Sequence, residues 1–318
     1  MTTPQQHPAA PPVPPAPPQG AFAQAPAPAA QPAGGPGYVS PVPVRNTHLG
    51  HAIASEWTKI RTVRSTVWTL AVMFVLVVGI GFAVALALGS VDEAMVPVLG
   101  GGTIGLLFGQ LCVIALGVLV ITSEYSTGMI RTTLTACPQR ARVLTAKALV
   151  FFLLSFTTTL AACTLTALFN AVFVGGKPIP VHIDPEMLNE ETLAAGETVA
   201  SAGEWLGATV GAALFVALLG LLSMAVGTLL RSTPGAITTM LGVVLLPFIV
   251  SLFLLGFGSG AEAIGEKLRE YSVLNGLLSL FRSSWDGGSD GWSLLGLLAA
   301  VTLAALIGAY ARFTTRDV

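Results

Sequence analysis

The sequence predicts an all-α membrane protein with six transmembrane helices, and three observations carry that prediction. Hydrophobic residues make up 53% of the 318 and charged residues only 10%, against about a quarter charged in soluble proteins. Six apolar stretches each approach or exceed the roughly 20 residues a helix needs to cross a bilayer. Nothing resembles the short alternating strands of a membrane barrel, so backbone groups in lipid must be satisfied within helices. The net charge of −1 says nothing about partners, because the charges are segregated by loop.

The first 44 residues are dominated by Pro, Ala, Gln and Gly and contain no Asp, Glu, Lys or Arg. Such a segment cannot bury enough surface to offset its ordering entropy, so 1–44 reads as a disordered cytoplasmic tail of polyproline II character. It lacks the basic start and short apolar core of a signal peptide. The PPVPP run at 11–15 reads as linker rather than as a ligand for an aromatic groove. The membrane domain occupies 45–318. His48 and His51 form an HxxH pair with no further ligand cluster nearby, so they read as solvated histidines rather than a metal site.

Between His51 and Arg64, Ile53, Trp57 and Ile60 recur at spacings of four and three, with Ser55, Glu56, Lys59 and Arg61 on the other face. This pattern predicts an interfacial amphipathic helix, with Trp57 in the headgroup region and Lys59 and Arg61 toward water. A simple extension of the first span is the alternative. The spans follow at 67–88, 98–122, 145–174, 205–230, 236–258 and 292–311. Pro247 should kink the fifth.

Lysines and arginines are retained on the cytoplasmic side of a membrane. With both termini inside, eleven of the fifteen fall on inner segments, and only Lys177, Lys267, Arg269 and Arg282 lie outside. The outer segment 177–204 is acidic and broken by Pro178, Pro180 and Pro185, which predicts an irregular cap. Between spans five and six, 261–271 reads as a charged helix and 273–281 as an apolar one too short to span. Gly101, Gly105 and Gly109 in the second span, like Gly207 and Gly211 in the fourth, permit close helix contact. Intrachain packing is favoured for them, with a dimer seam as the alternative. Cys112 and Cys163 lie in apolar spans and Cys137 in a basic loop, which leaves no extracellular disulfide framework.

The inner segment 121–147, ITSEYSTGMIRTTLTACPQRARVLTAK, interrupts two apolar runs with Glu124, Arg131, Arg140, Arg142 and Lys147. At mid-membrane each such charge would cost about 2.5–3.5 kcal/mol or more. Ser126 can cap a short helix, Ile130 and Leu134 lie one turn apart, and Pro138 suits the first turn of the next helix. A structured element held at the membrane surface is suited to docking a partner. A basic loop that only fixes topology is the plainer alternative.

Several chemistries are missing from the sequence. There is no G-x-x-x-x-G-K-[ST] phosphate loop; Gly175-Gly176-Lys177 comes nearest, but Ala171 stands where the first glycine belongs. No zinc-protease motif or nucleophile elbow is present, and nothing calls for a cofactor, a metal or nucleic acid. No apolar span carries a clearly buried charge, which argues against an ion-coupled carrier. The scattered polar groups, Gln110, Thr157–Thr159, Thr164, Thr166, Asn170, Thr238 and Thr239, read mostly as hydroxyls bonded back to their own helices. Any energy source lies in another protein.

Ser123-Glu124-Tyr125, Gly128, Ile130-Arg131, Leu134, Pro138, Arg140 and Lys147 resemble the loop after the second span of ABC-type-2 export permeases. The run Ala54-Ser55-Glu56-Trp57-Thr58-Lys59-Ile60-Arg61-Thr62 is similar to the opening of actinobacterial members, and the likeness extends from about His51 to the C-terminus. The resemblance implies a permease subunit of the cell membrane that forms a homodimer or heterodimer and pairs with separate ABC ATPase subunits. It would move a hydrophobic or amphipathic substrate, with the short helix after span two as the coupling helix. Glu124, Tyr125, Gly128, Arg131 and Arg140 are then the candidate coupling residues. Glu124 would pair with a basic residue of the ATPase or brace the short helix, and Arg131 would meet the ATPase surface. A non-transporting membrane anchor of the same fold is the alternative.

Overall fold

The computed structural model describes residues 48–91, 97–136, 139–178, 190–254, 257–281 and 291–315. The tail 1–44, Cys137, Pro138 and residues 179–189 of the expected irregular cap lie outside them. Helix α1, Leu49–Thr62, is separated from α2, Arg64–Gly89, by the single extended residue Val63 at φ −77° and ψ 107°. The amphipathic segment is therefore a helix of its own, not an extension of the first span. The start of α1 uses the histidine pair: the His48 backbone N–H donates to Nδ1 of His51 at 3.3 Å, and the rings stack 5.9 Å apart. Among the described residues, no His, Cys, Asp and Glu group could hold a metal ion.

Helix α3 spans Gly102–Ser126, and the short α4 Met129–Ala136 follows. Ser126 does not cap α4. Its hydroxyl donates to the Ser123 carbonyl at 3.0 Å, so it finishes α3. Helix α5, Arg140–Val174, is 35 residues long and begins well before the expected 145, because Arg140, Ala141, Arg142 and Leu144 are themselves good helix formers. Lys147 therefore sits two turns inside a helix instead of closing a loop.

Helices α6, Glu190–Ala195, and α7, Ala202–Leu206, precede a π-helical turn at Gly207–Gly211 that continues into α8, Ala212–Leu230. Ser201 opens α7 with a reciprocal cap. Its hydroxyl accepts from the Glu204 N–H at 3.3 Å, and the Glu204 carboxylate accepts from the Ser201 N–H at 3.2 Å. Then come α9, Thr233–Leu254, which contains Pro247, and α10, Ser259–Glu270. Last are α11, Val273–Leu280, and α12, Gly291–Thr315. Among the described residues, six stretches are long and apolar enough to cross a membrane: α2, α3, α5, the continuous α7–α8, α9 and α12. Among the described residues the only β pairing is an isolated bridge between Pro178 and Glu197.

The fourth span is the axis of the bundle. In its most apolar stretch 72% of residues are buried by the rest of the chain, against 17% in the fifth span. Lipid offers no hydrophobic drive to bring apolar helices together, so close backbone approach through small residues supplies the contact. Gly117 of α3 faces Ser223 and Gly220 of α8, where a methyl group would collide with both. A Cβ on Gly105 would lie 2.6 Å from the Val77 carbonyl of α2; Gly109 faces the Val77 side chain and Gly101 the Asn170 amide of α5. All three glycines of the second span thus pack on helices of their own chain.

At the end of the bundle away from α4, Lys177 caps α2. Its ammonium donates to the carbonyls of Leu88 at 3.0 Å and Gly89 at 2.8 Å, and to that of Val91, where a cation meets the negative end of a helix. The expected short apolar helix is α11, with Leu277, Leu280 and Phe281 buried. Gly207, in the π turn, lets the Leu280 backbone come close.

Candidate functional site

The last turn of α3 is the root from which α4 departs, and its side chains reach α1, α5 and the turn after α8. Glu124 is 6% exposed there, beside Lys147 of α5 at 2% and Glu56 of α1 at 4%. The Lys147 ammonium donates to Oε2 of Glu56 at 2.6 Å and to Oε1 of Glu124 at 2.9 Å. Lys59 closes the arrangement, donating to Oε1 of Glu56 at 2.9 Å and to the same Oε1 of Glu124 at 3.1 Å. Two carboxylates and two ammoniums thus form a neutral cluster joining α1, α3 and α5. The second Glu124 oxygen is buried without a hydrogen-bond partner among the described residues.

Burial alone would raise the Glu56 carboxyl pKa, but Lys147 and Lys59 overcome it and hold the group below its ordinary value. Burial would lower the Lys59 ammonium, and Glu56 and Glu124 more than offset this, so it is raised. A buried ion cluster of this kind adds little net stability, because desolvation cancels most of the attraction. Removing one member is expensive, which makes the cluster a device for fixing position.

The cluster also corrects the expected orientation of α1. Lys59, expected toward water, instead turns with Glu56 toward the protein, because Lys147 lies inside α5 where it needs a counter-charge. Ile60 is buried on the same face, leaving Trp57 49% exposed and Arg61 exposed. Between α1 and α4 lies an open groove of about 370 Å³ lined by Ser55, Glu56, Lys59, Met129, Thr132 and Thr133 among others.

The remaining candidates surround this root. Gly128 sits at φ +71° between α3 and α4, with its N–H bonded to the Tyr125 carbonyl at 3.3 Å, and nothing would touch an added Cβ. Its role is in the backbone, reversing the chain where other residues are disfavoured. Tyr125 is half-buried, with the Arg231 guanidinium 5.3 Å from its ring centre. Arg140 opens α5, where a cation opposes the helix dipole by about 0.3–1 kcal/mol, so its charge does not serve the helix. Arg131 lies on α4, its side chain outside the described residues. Sequence reasoning named Glu56 and Lys147 as charges but missed their meeting, since 91 residues separate them. The available signal was the single lysine in the apolar setting Leu144–Val150. From the sequence Arg231 is one of the eleven inner lysines and arginines and carries no further signal.

Among the described residues this site brings together no catalytic constellation, and what the arrangement can do is mechanical: hold a short helix in fixed relation to the spans. Residues 52–190, from α1 to the start of α6, match the family model described as ABC-2 family transporter protein. No curated protein matches the chain. The match covers both sides of the ion cluster and the whole of α4, and with six spans it makes the chain a multi-pass membrane protein. Over residues 52–190 the chain is thus similar to an ABC-2 family transporter domain, and that match together with the six candidate spans supports an ABC-type permease role.

Proposed function

We propose that this chain is the membrane-spanning subunit of an ATP-driven exporter, working as a dimer with two separate ABC ATPase subunits docked against α4. The single observation that carries this reading is the Glu56–Lys59–Glu124–Lys147 cluster, which fixes the root of α4 to α1 and α5. A surface helix of eight residues has little stability of its own, so a function that loads it with force requires such an anchor. Both termini and α4 lie on the cytoplasmic side in this reading, where ATP is available, in keeping with the distribution of lysines and arginines. Nucleotide-driven closure of the ATPases would push α4 and tilt the spans about the dimer axis. The apolar walls suit a hydrophobic or amphipathic substrate.

The test is purification of the tagged chain from its native membrane under mild detergent, followed by reconstitution of what co-purifies. A stoichiometric ATPase subunit and ATP-dependent movement of a hydrophobic fluorescent amphiphile across the vesicle membrane are expected. An intact, dimeric chain with no associated ATPase and no ATP-dependent movement would support a non-transporting anchor instead.

A further inference from the structure

Among the described residues, Arg231 is the only non-glycine with a positive φ, at 54°. It ends α8, at a kind of position where glycine or asparagine is the usual choice because a left-handed backbone strains any residue with a Cβ. Strain kept at such a position points to work done by the side chain. Here the guanidinium lies 5.3 Å from the centre of the Tyr125 ring, within cation–π range. Two residues on, the first residue of α9 makes a second contact with the same turn: the Thr233 hydroxyl donates to the Thr122 hydroxyl at 2.8 Å. Thr122 and Tyr125 are three apart on α3 and share a face. The turn between the fourth and fifth spans is therefore fastened at both ends to the helical turn from which α4 departs. Glu124, between Thr122 and Tyr125 in sequence, holds α1 and α5.

We propose that Arg231 is a positioning residue that clamps the turn between spans four and five to the root of α4, so that a displacement of α4 carries α8 and α9 with it. The ion cluster would pass the same displacement to α1 and α5, and the arginine clamp would add the most buried span and its neighbour. This inference rests on the reading of α4 as the element an ATPase pushes, but the clamp itself can be measured without any ATPase.

The experiment uses the full chain in lipid nanodiscs, with Cys112, Cys137 and Cys163 replaced and spin labels at Met129 of α4 and Thr238 of α9, both exposed. Pulsed dipolar spectroscopy reads the width of their distance distribution. A narrow distribution is expected for the parent. Arg231→Gly, which relieves the backbone while deleting the guanidinium, should broaden it roughly twofold by freeing the turn. Tyr125→Leu should do the same, whereas Tyr125→Phe, which keeps the ring face, should restore the parent width. A control pair at Val75 and Val172, exposed on α2 and α5, should stay unchanged in every variant and so report an intact fold. Parent-like widths in Arg231→Gly and Tyr125→Leu would overturn the clamp, as would a Phe variant as broad as the Leu variant. Absence of an ATPase from the purified complex would defeat the proposed function and leave these widths as they are, so the two failures are told apart.

Discussion

Lys147 shows how one residue can be visible in a sequence while its role is not. In an apolar setting it reads as the end of a loop, because a buried lysine needs partners and both carboxylates come from elements distant along the chain. The structure also adds to what was expected of Glu124. Its carboxylate is already engaged by two lysines of its own chain, so Glu124→Ala should cost stability as well as coupling. We expect Lys147→Met to destabilise the domain by about 3–5 kcal/mol, since it leaves two carboxylates buried against one ammonium. The double variant Glu124→Leu/Lys147→Met should recover much of that loss, because the remaining Glu56–Lys59 pair is neutral. Tryptophan-monitored unfolding in nanodiscs checks both. The pH dependence follows from the two shifts. The lowered Glu56 carboxyl contributes stability above its ordinary 4.5 and loses it as pH falls through the lower folded value. The raised Lys59 ammonium contributes below its ordinary 10.5 and loses it as pH rises through the higher folded value. The stability gap between the native chain and Glu56→Gln should therefore be flat between those values and shrink on acidification below 4.5. A gap that grew in acid would contradict the pairing.

Elements were legible wherever hydropathy ran long enough to dictate a helix, as in the six spans, and the pair α10 and α11 was legible from the change from a charged to an apolar segment. Their ends were less so. The start of α5 was missed because hydropathy falls before helix propensity does, and the inward face of α1 because an amphipathic pattern does not say whether its polar side meets water or buried charge. The π turn at Gly207–Gly211 left no readable signal beyond its glycines, since what it accommodates is the Leu280 backbone, 73 positions on at the end of α11. Gly128 was legible as a residue but not as a joint. An alanine there should cost roughly 1–2 kcal/mol in the left-handed backbone, and because nothing packs on the site, the strain can be relieved by reorienting α4. We expect Gly128→Ala to leave the thermal unfolding of the bundle close to native while weakening ATPase retention on a tagged column severalfold. Equal retention would show that the angle between α3 and α4 is unimportant.

At the scale of the whole molecule, the described residues from 48 onward form a bundle around one buried span, with most of their lysines and arginines at the end that carries α1 and α4. Its orientation is tested by single cysteines at Asp184 and Ser289, which should react with an impermeant thiol reagent on intact cells while Cys137 stays protected; labelling of Cys137 would invert the topology. The central claim is that α4, anchored by the ion cluster, is where an ATPase is received. A photo-crosslinking amino acid at Thr132, exposed on α4, tests it in native membranes without knowledge of the substrate. The account predicts a crosslink to a nucleotide-binding ATPase subunit that changes in yield when ATP is trapped, and none from the same probe at Val172, 74% exposed on the far part of α5. A crosslink to the ATPase from Val172 with none from Thr132 would contradict it.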